Sequence, residues 1–214
     1  KFYFKYAAQA KSIKCLDKKI PFEVVASDLI FFIPESYFSK VTPYDCQLEY
    51  ENEQKKIVSV TIVSVVPQNR TFKEETLSVD PKKITLSKKD SARVLKEQLI
   101  LNELYLQSNP SMFTHDDFGF PMNSQLTSVY GTKRVFNGVK QTQHLGNDFK
   151  ARVGDTVFAS NKGKVVLVRD LFYSGETVII DHGLGVFTVY AHLSKIFVKE
   201  GMVVSRGQKI AHSG

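Results

Sequence analysis

The chain has 214 residues, 43% of them hydrophobic and 12% aromatic, enough for a buried core in one large domain or two small ones. That composition excludes intrinsic disorder and collagen-like repeats, and no run approaches the roughly 18 to 20 apolar residues of a bilayer span. The net charge of +7 is spread evenly, with 17 basic and 14 acidic side chains in residues 1–115 and 12 and 8 in residues 116–214. With no basic tail, Arg-rich helix or nucleic-acid motif, the charge points away from nucleic acid and toward mild attraction to an acidic polymer. Lys1 is not a translation start, so a signal peptide or anchor is expected upstream of it.

In chain order, Phe22 to Ile33, Gln47 to Tyr50 and Lys56 to Val66 read as strands, the last with Val58, Val60 and Ile62 alternating with Ser59 and Thr61. Turn signals fall at Pro34, at Pro43-Tyr44-Asp45 and in the polar stretch Glu51 to Gln54, and together they predict a small β module. Cys15 and Cys46 suit either a disulfide or two unpaired buried thiols. Ser87 can cap a helix running to about Gln107, with one stripe of Ala92, Leu95, Leu99 and Leu106 and a second of Val94, Leu101 and Tyr105, which predicts contact with two neighbours. Pro110 stops it.

Composition then changes, since all twelve glycines lie between Gly119 and Gly214 and all five histidines between His115 and His212. From Phe118 onward the spacing predicts short antiparallel strands at 127–130, 144–149, 156–159, 164–169, 177–181, 186–192, 195–198 and 208–211. Tight turns are expected at Asn161-Lys162-Gly163 and Gly183-Leu184-Gly185. The expected architecture is mainly β: an N-terminal β-rich module over 1–85, a linker helix and connector over 86–117, and a glycine-punctuated antiparallel β domain over 118–214.

His144-Leu145-Gly146-Asn147-Asp148 is the most informative segment. In a strand, residues 144, 146 and 148 share a face, so an imidazole and a carboxylate would flank the open space left by a glycine. That donor pair suits zinc, although the spacing taken alone favours a hydrogen-bonded surface pair over a metal site. His192 closes the strand that returns from Asp181-His182-Gly183-Leu184-Gly185, where it could donate a proton or steady an oxyanion.

The segments Leu126 to Gly131, Arg134 to Gly138, His144 to Phe149, Gly154 to Val157, Gly163 to Val166, Ile179 to Gly185, Tyr190 to Ser194 and Val204 to Ile210 stand in an order that closely resembles the lysostaphin and LytM family of zinc peptidoglycan peptidases. The resemblance implies a β-rich catalytic core with a narrow groove, one zinc ion per chain, and hydrolysis of peptide bonds in the stems or cross-links of bacterial murein. It makes His144 and Asp148 metal ligands and His192 a catalytic histidine, with Asn137 and Tyr190 as candidate substrate contacts and His182 a structural residue. Family members complete the site with an H-x-H pair further on, so a third ligand is expected beyond Gly214. The β module and helix ahead of the core also resemble cell-shape-determining murein D,D-endopeptidases and D,D-carboxypeptidases of curved and helical Gram-negative bacteria. That implies action in the periplasm or cell envelope, with wall-associated protein partners reached through the N-terminal module.

Two other readings compete. A non-catalytic LytM-like regulator or wall-binding module would use the same fold to activate another hydrolase, but such proteins typically lose the residues retained here as His144, Asp148 and His192. A lipoyl-like carrier barrel lacks its lysine at a hairpin tip.

Overall fold

A computed structural model describes residues 1–78, 86–138 and 140–214. The expected module boundary at residue 85 lies outside the described residues. The chain divides into two compact units: Lys1–Arg70 with Ser108–Phe113 and Gly183–Val186, and Thr71–Gln107 with Thr114–His182 and Phe187–Gly214.

The first unit is mainly β, with β1 (Phe2–Tyr3), a 3-10 turn at Ala7–Gln9, β2 (Ala10–Cys15), β3 (Lys18–Ile20), β4 (Phe22–Val25), β5 (Asp28–Phe31), β6 (Tyr44–Glu51) and β7 (Ile57–Val65). One sheet has the order β1-β5-β4 and the other β3-β2-β6-β7. The stretch from Phe22 to Ile33, read above as one strand, is a hairpin, because Ala26 at φ 55° reverses the chain and pairs Val25 with Asp28. Ile13, Leu29, Cys46 and Leu48 are completely buried between these strands. Cys15 and Cys46 face each other across β2 and β6 and are joined as a disulfide, which settles the two open readings of these thiols. The link spans 31 residues, a closure that stabilises the unit by roughly 3 to 4 kcal/mol in the chain-entropy account.

The second unit begins with β8 (Glu74–Leu77) and α1 (Lys88–Tyr105), then runs through β9 (Leu126–Ser128), β10 (Lys133–Phe136), β11 (Lys140–Gln143), β12 (Asp148–Phe149), β13 (Thr156–Phe158), β14 (Gly163–Leu171), β15 (Gly175–Gly183), β16 (Val186–Ile196), β17 (Val203–Val204) and β18 (Lys209–Ser213). Its main sheet has the order β13-β18-β16-β15-β14-β17. The central strand β15 is buried at every position from Thr177 to Gly183 and feeds two cores by alternation. Val178 and Ile180 pack with Val165, Tyr190 and Ile210, while Ile179 joins Leu167 and Leu171.

The second of those cores receives α1 through Ile100, Leu101 and Leu104. Ser87 Oγ caps the helix by accepting the Asp90 amide at 3.1 Å, and Arg93 pins it by donating to the Asp170 carboxylate and carbonyl. Only one predicted stripe packs. Leu95, Leu99 and Leu106 are 61–87% exposed, so the expectation of two apolar neighbours is corrected: the first stripe lies on the face opposite the core.

Two smaller sheets carry the remaining strands: β12 pairs antiparallel with β9, and β10 lies between β11 and β8. The β8–β10 pairing is parallel, with Arg134 opposite Glu75, a departure from purely antiparallel order that local spacing could not announce.

Candidate metal centre

His144 and Asp148 are brought together, though not by the expected route. The strand predicted over 144–149 is reduced to Asp148–Phe149, and His144 to Asn147 form a loop. The side chain of Asn147 accepts the Tyr130 amide at 2.9 Å, while the His144 backbone exchanges hydrogen bonds with Gly131 and Thr132. These contacts fold the segment so that His144 Nε2 lies 3.0 Å from Asp148 Oδ1. The shared face that strand alternation predicted is therefore made by a loop.

The other ring nitrogen fixes the orientation of His144. Its Nδ1 is 3.4 Å from the Val129 carbonyl and 3.3 Å from Ser128 Oγ. The Val129 carbonyl only accepts, so it can take a proton from Nδ1 whenever Nε2 is engaged by a metal. An imidazole nitrogen and a carboxylate oxygen 3.0 Å apart share either a proton or a metal ion. Their separation is near the roughly 3.4 Å between two donors of a tetrahedral zinc shell with bonds of about 2.1 Å. The pair thus fits two corners of such a site, and Asp148 remains 43% exposed. Among the described residues no third His, Cys, Asp or Glu joins them.

Arg134 completes the immediate surroundings. From β10 its Nη2 donates to Asp148 Oδ2 at 2.7 Å, and its Nε is buried with no hydrogen-bond partner among the described residues. Sequence reasoning quoted Arg134 only within a motif and gave neither it nor Ser128 a role. Both act across strands that are distant in sequence, and no local periodicity marks them.

The other predicted residues lie on β16 and in the β10–β11 turn of the same unit. His192 is exposed on β16 at φ +54°, a left-handed conformation that a non-glycine residue adopts at a cost of about 1 kcal/mol or more. Its amide donates to the Ser174 carbonyl and its carbonyl accepts the Gly214 amide. Asn137 is exposed in the β10–β11 turn at φ +51°, its amide donating to the Leu77 carbonyl. Tyr190 lies in the core at 6% exposure, its hydroxyl accepting from the Ser160 amide and from Thr188.

His182 is buried, 2.8 Å from both the Lys162 carbonyl and Thr188 Oγ1, with Phe118 edge-on against its ring. Gly163 makes room for it, since a Cβ there would come within 2.5 Å of the Asp181 carbonyl and 2.8 Å of His182 Nδ1. Burial lowers the pKa of the imidazole, outweighing the pull of the Lys162 carbonyl and Asp181. The folded state therefore holds the neutral ring, whereas the unfolded chain takes up a proton near pH 6.5. The stability this provides is complete above that pH and is lost as pH falls toward the folded pKa. Denaturation midpoints measured from pH 7.5 to 5 are expected to fall more steeply for the wild type than for His182→Gln, and His182→Gln itself should cost about 1 to 3 kcal/mol at pH 7.5 through unsatisfied partners.

Residues 142–214, the segment that contains the His144–Asp148 pair, match the model of peptidase family M23. Over 98 residues the chain is 41% identical to the peptidoglycan DD-endopeptidase ShyA of Vibrio cholerae, covering 44% of this chain and 23% of that protein. It is likewise 41% identical over 91 residues to the peptidoglycan DD-endopeptidase ShyB of the same organism, covering 42% and 21%. Each match spans less than a quarter of the relative's length. A solved structure from Pseudomonas aeruginosa assigned to peptidase M23 superposes with a TM-score of 0.65 at 19% identity over 95% of this chain and 75% of that one, a likeness of fold.

Proposed function

We propose that the protein is a zinc-dependent peptidoglycan hydrolase of the cell envelope that cleaves peptide cross-links of murein as a D,D-endopeptidase. The observation that carries this reading is the His144–Asp148 pair, in which the imidazole is held by Val129 and Ser128 and aims Nε2 at the carboxylate, inside the segment that matches the M23 family. The two relatives named as peptidoglycan DD-endopeptidases support the substrate class. No helix among the described residues is long and apolar enough to cross a membrane.

In this reading His144 Nε2 and Asp148 Oδ1 would hold the metal together with a third ligand. Bound zinc supplies Lewis acidity toward the scissile carbonyl and the attacking water. The protein's own groups do the rest. Ser128 Oγ and the Val129 carbonyl flank Nδ1 of His144, and with a metal on Nε2 the carbonyl would accept the Nδ1 proton. His192, exposed and held by two backbone hydrogen bonds, is proposed to steady the developing oxyanion or pass a proton to the leaving amine. Asn137 is proposed as a substrate contact on the strength of its exposed turn. Carboxypeptidase activity toward uncross-linked stems and a part in cell shape belong to the same proposal, as does a role for the N-terminal module in engaging wall-associated proteins.

The test is digestion of purified murein sacculi by the natural full-length protein, with muropeptides resolved by chromatography. Cross-linked dimers are expected to decline and monomers to accumulate, chelation should stop the reaction, and added zinc should restore it. Dimers that persist at stoichiometric zinc loading would sink the hydrolase reading.

A further inference from the structure

We infer that Arg134 is a positioning residue for the metal: by holding Oδ2 of Asp148 it presents Oδ1 alone to the ion. The inference rests on the reading of His144 and Asp148 as zinc ligands. Three observations carry it.

The two carboxylate oxygens have different partners, with Oδ2 accepting from Arg134 Nη2 at 2.7 Å and Oδ1 facing His144 Nε2 at 3.0 Å. A guanidinium beside a carboxylate ordinarily forms a two-pronged fork, which here would pair Nε as well. Instead Nε–H is left buried and without a partner among the described residues, although an unpaired buried donor is costly. A fork would satisfy Nε by drawing Oδ1 onto the arginine and away from His144, so the one-armed contact keeps that oxygen available.

The backbone holds Arg134 in place. It sits in the middle strand of the β8-β10-β11 sheet, its neighbours in register being Glu75 and Thr142, and its side chain is 24% exposed. Ser128, opposite Asp148 in the β9–β12 ladder, approaches His144 Nδ1. One outer residue thus orients each ligand, the arrangement by which second-layer hydrogen bonds tune metal sites.

The experiment is a zinc titration of the natural full-length protein by calorimetry, with cobalt(II) absorption spectra as a second readout, for the wild type, Arg134→Gln and Arg134→Lys. If the wild type takes up no metal, the ligand assignment itself fails and the inference falls with it. Given wild-type binding, Arg134→Gln is expected to weaken zinc by about 10- to 100-fold and to alter the cobalt spectrum. Because the contact uses one nitrogen, Arg134→Lys should recover most of the affinity. Unchanged or tighter binding in Arg134→Gln would overturn the inference, since it would mean that Arg134 is indifferent to the metal or repels it. So would a Lys variant as weak as the Gln variant. Should Arg134→Gln fail to fold, a crystal structure of the zinc-loaded wild type decides the matter. Zinc on Oδ1 with Arg134 still on Oδ2 supports the inference, and zinc on both oxygens or a displaced Arg134 overturns it.

Discussion

His144→Ala or Asp148→Ala in the natural full-length protein is expected to reduce zinc content from about one ion per chain to near none at micromolar metal, and murein hydrolysis with it. Each substitution deletes one donor of a set that needs three, and a zinc ion left with two protein ligands dissociates readily. The folded structure should survive both changes, because His144 sits in a loop and Asp148 is 43% exposed. Asp148→Ala does leave Arg134 without its carboxylate, so Asp148→Asn is the cleaner companion. Its side-chain oxygen can still accept from Arg134 while the charge that attracts the metal is gone. Metal analysis by mass spectrometry beside a thermal melt separates lost ligand from lost fold. A His144→Ala protein that kept full zinc would remove this residue from the site.

His192→Ala gives the second large effect, and of a different kind. Zinc content should hold while turnover falls by about 10²- to 10⁴-fold, the usual contribution of a positioned acid or base. His192→Gly sharpens the test. At φ +54° a histidine is strained and a glycine is not, so His192→Gly is expected to melt at or above the wild-type temperature while remaining as inactive as His192→Ala. Other turns of the chain, such as that at Ala26, share this φ, so the strain alone does not mark function, and gain in stability with loss of turnover is the signature that would. A His192→Ala protein that lost its zinc would instead make His192 a ligand.

That His144 and Asp148 form a pair was legible in the sequence, but their geometry was not. His144 and Asp148 drew attention through a spacing that assumed a strand, yet the segment is a loop tied down by Asn147 and by the backbone of Gly131 and Thr132. The mainly β character was readable because the alternation of β14 and the glycine-bounded strands after it are local signals. Arg134 and Ser128 were hidden, since each meets its ligand across a turn of chain 14 or 16 residues long. The α1 stripes misled for a related reason: apolar periodicity says that a face can be buried, and only the arrangement of neighbours decides whether it is.

Strand β8 has a practical consequence. It precedes α1 in the chain, yet its partner is β10, the strand from which Arg134 reaches Asp148. A truncation made just ahead of the helix would strip away this flank and leave the peptide groups of β10 bare along one side. A shortened protein of that kind would be prone to edge-to-edge association, and its poor metal uptake would be mistaken for a requirement for the N-terminal unit. Cutting between Arg70 and Thr71 keeps the β8–β10 seam intact.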